Sequence, residues 1–198
     1  MARLPDTAHR AALAEAALDH IGHVGLAQFS LRGLAAELGT SARMLVHYFG
    51  SREELLSAAL AVHRARTQEL IAGAGDPAGR ARAAWAVMTD PGQRGHFTVM
   101  FHLMAAALTE GGPEPVAAQR GFRDWVDYTA ELFAAAGRPR AAAEAAATAL
   151  TSGLKGILFD RMVTGDHERC DAAANLLIAA ILTTDDEATS RYAAREDD

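Results

Sequence analysis

The chain lacks the features that would place it outside the cell or in a membrane. Its 198 residues include one cysteine, Cys170, which excludes an internal disulfide framework and favours a reducing compartment. The longest stretch without Asp, Glu, Lys or Arg, Gly95–Thr109, has 15 residues, fewer than the ~18 that suggest a membrane span. The segment MARLPDTAHR has no apolar run typical of a secretory signal. We therefore expect a cytoplasmic protein without a membrane partner.

Sequence motifs of common enzyme classes are also missing. The chain has no Gly-x-Ser-x-Gly, no phosphate-binding Gly-Lys-Ser/Thr and no His-Glu-x-x-His. His20 and His23 are spaced so that they could share a metal ion on a helix, but no cysteine or third ligand lies near them in sequence. A surface or packing role is favoured for both. We therefore predict no enzymatic activity, no catalytic residues, no metal site and no cofactor.

Strand signals are scarce, whereas helical signals are abundant. Proline occurs 6 times, half of the residues are apolar and 22% are charged, which is typical of a helical globular protein. No β-branched alternation and no Asn-Gly or Asp-Gly turn is found. The predicted class is therefore all-α. Apolar spacing, capping residues and Gly or Pro breaks, one of them at 111–113, predict helices over about 7–23, 30–38, 41–48, 51–71, 78–89, 93–108, 114–136, 141–163 and 167–184.

The stretch Leu34–Leu56 breaks its helical pattern twice within a dozen residues. Gly39 ends one helix, a short helix follows, and Gly50 ends that helix before Ser51 begins the next. Two helices joined by a tight turn that contains glycine are typical of a helix-turn-helix, which binds DNA in many proteins and is a plain packing unit in many others. The spacing of breaks alone leaves both interpretations open.

The short helix has one apolar and one polar edge. On a helical wheel centred on Leu45, Ser41 and Phe49 lie on the same side, which we expect to be buried, and Arg43 and His47 lie nearly opposite. A major groove about 12 Å wide admits such a helix, and arginine can donate two hydrogen bonds to guanine. The net charge of −6 argues against nucleic acid, although the first 52 residues, with five arginines and four acids, are slightly basic.

A series of residues between positions 10 and 55 follows one family pattern in order and spacing. These residues are Arg10, Leu13, Ala14, Ala16, Ala17, Ile21, Gly25, Ser30, Leu34, Ala35, Leu38, Gly39, Ser41, Leu45, Tyr48, Phe49, Ser51, Arg52, Glu53 and Leu55. The series resembles the DNA-binding region of the tetracycline-repressor-like (TetR) family of bacterial transcription regulators, and it covers about a quarter of the chain. The remaining helices have the length that this family uses but carry no motif of their own.

The resemblance implies a helix-turn-helix DNA-binding domain over residues 1–56 and a ligand-binding and dimerisation domain over residues 57–198. It implies a homodimer that binds a pseudo-palindromic operator in double-stranded DNA, usually as a repressor that a small apolar or amphipathic effector releases. By position, Ser30 and Arg52 are expected to hold phosphates. The DNA-binding candidates carried over in this way are Ser30, Thr40, Ser41, Arg43, His47, Tyr48 and Arg52.

Three positions depart from the family pattern. Arg43 stands where the family often has glycine, Val46 where it usually has tyrosine, and Thr40 where it usually has valine. Arg43 is therefore either a reader of bases or a residue that alters how closely the helix docks, and the operator sequence is not transferable. Met44, Leu45 and Phe49 are interpreted as packing residues.

The helices after residue 80 carry the candidates for effector binding and dimerisation. Methionine and aromatic walls with a few polar groups suit a ligand pocket, although each such residue could equally be core. The ligand-binding candidates are Trp85, Met88, Phe97, Phe101, His102, Met104, Phe122, Trp125 and Tyr128. The resemblance implies a dimer interface formed by the last two helices. Each of these helices has an apolar stripe, part of which we expect to be intramolecular core. The stripes are Leu150, Gly153, Leu154, Ile157 and Leu158 on the first helix, and Cys170, Ala174, Leu177, Ile178, Ile181 and Leu182 on the second.

The acidic net charge and Val46 leave one alternative function. A helical protein–protein adaptor could keep this fold and lack specific DNA binding. The two functions differ in whether the protein shows salt-dependent, sequence-specific binding to a duplex.

Overall fold

The computed structural model describes residues 7–108 and 114–183, apart from the side chains of residues 106, 114–118 and 183. Within these ranges the chain is built of α-helices and one 3₁₀ turn without strands, which confirms the predicted all-α class. The predicted break at 111–113 lies outside the described residues. The helices are α1 (Thr7–Val24), α2 (Leu31–Glu37), α3 (Ala42–Phe49), α4 (Arg52–Ala72), α5 (Pro77–Thr89), α6 (Arg94–Ala106, after the 3₁₀ turn Pro91–Gln93), α7 (Glu114–Ala135), α8 (Arg140–Thr164) and α9 (His167–Thr183).

Serine residues cap three successive helices near the N-terminus. The Oγ atoms of Ser30, Ser41 and Ser51 each accept a hydrogen bond from the backbone N–H three residues later, at 3.1, 3.2 and 3.0 Å. Each cap satisfies a backbone N–H that the helix itself leaves unpaired, an effect of about 1 kcal/mol. Glu53 and Glu54 occupy the first turn of α4, where the helix dipole favours acids. Local sequence therefore fixes where α2, α3 and α4 begin.

The chain divides into two compact units. The first unit comprises Met1–Glu69 and Asp90–Gly121, and the second comprises Leu70–Thr89 and Phe122–Asp198. The sequence-based division after Leu56 falls within α4 and stays a prediction about function. No described helix combines the length and the apolar character that a bilayer crossing requires.

The first unit is organised around an apolar core to which α1, α2, α3, α4 and α6 all contribute. Leu18 and Ile21 of α1 and Leu45 of α3 are almost fully buried in it. Helices α1 and α6 approach closely at a pair of glycines. A Cβ atom placed on Gly95 would lie 2.9 Å from the Cα atom of Gly22. Only glycine fits at position 95 without moving the backbone of α1.

Helices α5, α7, α8 and α9 all contribute buried residues to the second unit. The predicted dimerisation stripes supply many of these buried residues, because Leu150, Leu154, Leu158, Cys170, Ala174 and Ile178 are buried within the unit itself. Gly153 lies close to Leu177, which shows that the small residue brings α8 and α9 together. The large apolar side chains that α8 and α9 leave exposed are instead Phe159, Val163 and Leu176.

We expect Gly95→Ala to destabilise the protein by about 1–3 kcal/mol, because the added methyl group meets backbone rather than a flexible side chain. Gly121→Ala is the matched control within α7, since a Cβ atom there meets nothing within 4 Å. That control should gain up to about 1 kcal/mol from helix propensity. Urea unfolding followed by circular dichroism measures both changes, and equal effects of the two substitutions would contradict the close approach of α1 and α6.

Candidate nucleic-acid interface

Helix α3 buries one edge and exposes the other. Leu45 and Phe49 lie in the core of the first unit, with 1% and 6% of their surface exposed. Arg43 and His47, one turn apart, are exposed on the opposite edge. The predicted burial of Leu45 and Phe49 and the predicted exposure of Arg43 and His47 are therefore confirmed. Ser41, predicted on the buried side, is exposed, because it caps α3 with an extended backbone and does not follow the helical wheel. The arrangement presents a guanidinium and an imidazole side by side on a rigid helix.

The turn between α2 and α3 exposes the two polar residues that were predicted to face DNA. Gly39 adopts a left-handed conformation with φ of 62°, which L side chains rarely adopt. The backbone N–H of Thr40 then donates to the carbonyl of Ala35 at 2.9 Å, and Ser41 caps α3. The side chains of Thr40 and Ser41 are exposed beside the N-terminus of α3.

Tyr48 is half-buried at the end of α3 and is held from two sides. Its ring makes edge contacts with His9 and His47, at centroid distances of 5.5 and 5.8 Å. Arg10 of α1 donates a hydrogen bond from Nε to the carbonyl of Tyr48 at 3.3 Å, and its guanidinium lies 4.7 Å from the Phe49 ring centroid. Arg10 thus fixes the end of α3 to α1. The sequence pattern contained this arginine but did not reveal its positioning role.

The two residues predicted to hold phosphates differ in how the chain engages them. The Ser30 side chain is exposed and caps α2. The Arg52 guanidinium is partly buried. Its Nη2 donates to the carbonyl of Leu26 at 3.4 Å and its Cζ lies 5.2 Å from the Phe29 ring centroid. Arg52 therefore has a structural role within the chain, whatever it contacts outside it.

One packing prediction for α3 is wrong. Met44 is 42% exposed, although it was expected to pack with Leu45 and Phe49, and Val46 is 45% exposed. Both side chains flank the polar edge, because residues one position from the buried stripe turn about 100° away from it. The exposed surface of α3 is therefore partly apolar, which suits contact with thymine methyl groups as well as with polar base edges.

His20 and His23 lie in different surroundings. His20 is buried and its Nδ1 pairs with the Glu37 carboxylate, which ties α1 to α2, whereas His23 is exposed. Among the described residues no group of three or more His, Cys, Asp or Glu side chains could hold a metal ion.

The ligand-binding candidates fall into both units. In the first unit Phe97 is buried, and its ring contacts His63 at 5.9 Å, while His102 is exposed. In the second unit Trp85 is buried, and its Nε1 donates to Asp171 at 3.1 Å. The remaining candidates are half-buried: Phe101 and Met104 in the first unit and Met88, Phe122, Trp125 and Tyr128 in the second. Their role in ligand binding stays a prediction.

The geometry of α2 and α3 defines a helix-turn-helix region in an all-α protein. Residues 13–59 match the sequence model of the bacterial regulatory proteins of the tetR family. A stretch of 47 residues is 47% identical to the HTH-type transcriptional regulator BetI of Agrobacterium fabrum, and this match spans 24% of the chain and 23% of that regulator.

Solved structures extend the similarity to the whole fold. A TetR-family transcriptional regulator from Rhodococcus sp. superposes with a TM-score of 0.73 at 19% identity, covering 90% of this chain and 99% of that one. A transcriptional regulator from Saccharomonospora viridis, solved in complex with choline, has a TM-score of 0.58 at 19% identity and covers 87% of this chain and 94% of that one. Residues 13–59 thus match the tetR family of bacterial regulatory proteins in sequence, and the chain has the fold of TetR-family transcriptional regulators.

We expect Ser41→Ala to cost about 1 kcal/mol of unfolding free energy, because the N–H of Met44 loses its acceptor at the start of α3. Ser41→Asp retains an acceptor at the same position and should stay within about 0.5 kcal/mol of the original chain. Urea unfolding of the two variants tests the cap. Equal losses in both would show that the hydroxyl does not support the helix through this hydrogen bond.

Proposed function

We propose that the chain is a homodimeric transcriptional repressor that binds a pseudo-palindromic DNA operator and is released from it by a small-molecule effector. The observation that carries the proposal is the exposed pair Arg43 and His47 on α3, opposite the buried Leu45 and Phe49. A helix anchored in this way can enter a major groove without disturbing the core of its own unit.

Roles on the operator follow from the position of each residue. Arg43, at the centre of the polar edge, is proposed to read a base, and His47 a base edge or phosphate one turn further on. Thr40, Ser41 and Tyr48 border this edge and are proposed to contact the groove or its walls. Ser30 and Arg52, at the N-termini of α2 and α4, are proposed to hold phosphates.

A dimer is proposed because one short reading helix gives modest affinity and two on a two-fold axis read a palindrome. The apolar side chains exposed on α8 and α9 support an interface there. Val163 and Leu176 are 69% and 72% exposed, and Phe159 is exposed beside Val163 on α8. Exposed large apolar side chains on neighbouring helices are typical of an interaction surface.

Effector release is proposed as a shift between two conformers of the dimer. One conformer holds the reading helices about 34 Å apart, one turn of DNA, and the effector favours another spacing. An effector can shift this equilibrium only by its differential affinity for the two states, typically about 1–3 kcal/mol, or 5- to 150-fold in operator affinity. The structurally similar regulator with bound choline supports a small-molecule site in this fold. The half-buried aromatic residues Phe122, Trp125 and Tyr128 are proposed to contact the ligand.

The DNA-binding roles can be separated by two substitutions. DNA fragments retained by the purified protein are sequenced, and a selected and a scrambled duplex are compared by fluorescence polarisation. Arg43→Ala should lose about 1–3 kcal/mol on the selected duplex only, because it removes base contacts. Arg52→Ala should weaken both duplexes alike and lower the salt slope by about 1, because it removes a phosphate contact.

Arg94→Ala is the matched control for these variants, since it removes an exposed arginine of the same unit from α6. It should leave both affinities unchanged. Thermal unfolding of Arg52→Ala measures how much stability the variant loses with its contacts to Leu26 and Phe29, so that this loss can be separated from the loss of DNA affinity. Identical behaviour of the Arg43 and Arg52 variants would refute the division of roles, and salt-independent binding or none at all would favour the adaptor function.

The proposed dimer surface is tested by Leu176→Glu. We expect this substitution to shift the protein from dimer to monomer in light scattering and to abolish high-affinity operator binding, because a carboxylate would be desolvated at the interface. Leu70→Glu is the matched control, since Leu70 is a similarly exposed leucine, at 63%, on α4. That variant should remain dimeric. A dimeric Leu176→Glu protein would rule out the α8 and α9 surface.

A further inference from the structure

The chain contains a single lysine, and the fold buries it. Lys155 is the only lysine beside 18 arginines in the sequence. It lies on α8 between Leu154 and Leu158 and is only 8% exposed. Lysine is among the residues least often fully buried, because its ammonium loses the hydration that water provides. A buried ammonium at the only lysine of the chain requires a physical reason.

The described part of the chain offers this ammonium no hydrogen-bond acceptor. Within residues 7–108 and 114–183, apart from the side chains not described, Lys155 Nζ has no hydrogen-bond partner. The ammonium instead lies against an aromatic face, since Nζ is 4.2 Å from the ring centroid of Phe122 on α7. Burial lowers the pKa of Lys155 to about 8, so the group remains largely protonated at neutral pH.

The Phe122 ring alone does not offset this burial. A cation–π contact is weaker than the desolvation of an ammonium, and it leaves the three N–H donors without acceptors. A methionine of similar volume would satisfy the packing of α8 at less cost. A ligand with a negatively charged oxygen would supply the missing acceptor. The buried ammonium of Lys155, unpaired among the described residues, therefore indicates a site for an anionic group.

Aromatic side chains on the helix that carries Phe122 define the rest of such a ligand. Trp125 and Tyr128 follow Phe122 on α7 at intervals of three residues, which places them along one side of that helix. Their rings meet edge to face at 6.0 Å, and all three side chains are half-buried. A ligand bound here would meet aromatic carbon along its body and the ammonium at one end.

We propose that Lys155 anchors a carboxylate-bearing apolar ligand, its carboxylate on Nζ and its apolar body along Phe122, Trp125 and Tyr128. This proposal rests on the proposed effector site in the same unit and names its ligand class. The sign of the charge matters, because aromatic rings also attract quaternary ammonium ions. At this site the face of Phe122 is already taken by Lys155, whose positive charge repels a second cation. The ligand class therefore differs from choline, which the structurally similar regulator binds.

The single lysine makes a direct experiment possible. Protein grown with isotope-labelled lysine gives one lysine side-chain resonance, which belongs to Lys155. The labelled protein is titrated with 4-phenylbutyrate, with the uncharged 4-phenylbutan-1-ol and with choline. Decanoate and decan-1-ol repeat the comparison of carboxylate and alcohol with a flexible aliphatic chain in place of the aromatic ring. A bound carboxylate should move the resonance and raise the pKa of Lys155 above about 8, because an anion favours the charged form. The alcohols and choline should do neither.

Substitution provides the second readout. Lys155→Met should lose about 30-fold or more in affinity for the carboxylate but not for the alcohol, measured by tryptophan fluorescence. Arg123→Met removes an exposed arginine next to Phe122 and should keep carboxylate affinity. A Lys155 resonance that no carboxylate moves, or a Lys155→Met variant that binds the carboxylate as tightly as the original chain, would overturn the proposal.

The experiment contains no DNA, so its failure is distinguishable from failure of the proposed regulator. Carboxylate binding through Lys155 in a protein without operator affinity would support the ligand site and refute the repressor. Operator binding by a protein whose Lys155 resonance no carboxylate moves would support the repressor and refute the ligand site. Folding of Lys155→Met is checked by its unfolding temperature, which we expect to rise, because the variant no longer buries a charge without an acceptor.

Discussion

The burial of one edge of α3 is the constraint on which the rest of this structure depends. Leu45 and Phe49 enter the core of the first unit, and Arg10 fixes the far end of the helix by a hydrogen bond to the Tyr48 carbonyl. Because side chains on a helix follow a period of 3.6 residues, this anchoring also determines that Arg43 and His47 lie outside. The packing of α3 and the exposure of its polar edge are thus two consequences of the same apolar contacts.

Charge in this protein is used locally rather than globally. The chain is acidic overall, yet the exposed edge of α3 carries a guanidinium and the first 52 residues are slightly basic. Screening limits exposed charges to a range of about 8–10 Å at physiological salt, so the acidic remainder of the chain matters less to a nearby phosphate than the arginines beside it. Lys155 represents the opposite case, since its charge lies in an interior where water does not screen it.

In the second unit, the residues of α8 and α9 that form the core differ from those that remain exposed, a distinction that the sequence pattern did not reveal. The apolar stripes of α8 and α9 form the core within the unit, as the burial of Leu154 and Ile178 shows. The side chains left for an interface are exposed ones such as Val163 and Leu176. Apolar spacing reveals that a helix has a buried face but not which neighbour covers it, because core and interface have the same composition.

The sequence by itself determined the helical class, nearly all helix ends and the two edges of α3, because capping hydrogen bonds, glycine conformations and the 3.6-residue period act between residues close in the chain. Only the tertiary structure decided what lies far apart in sequence. It placed Arg10 on the Tyr48 carbonyl, gave Arg52 partners in Leu26 and Phe29, and buried Lys155 over Phe122. The residues that these contacts join are 23 or more positions apart in the sequence. Whether they meet depends on which helices pack together, and no local pattern encodes that packing.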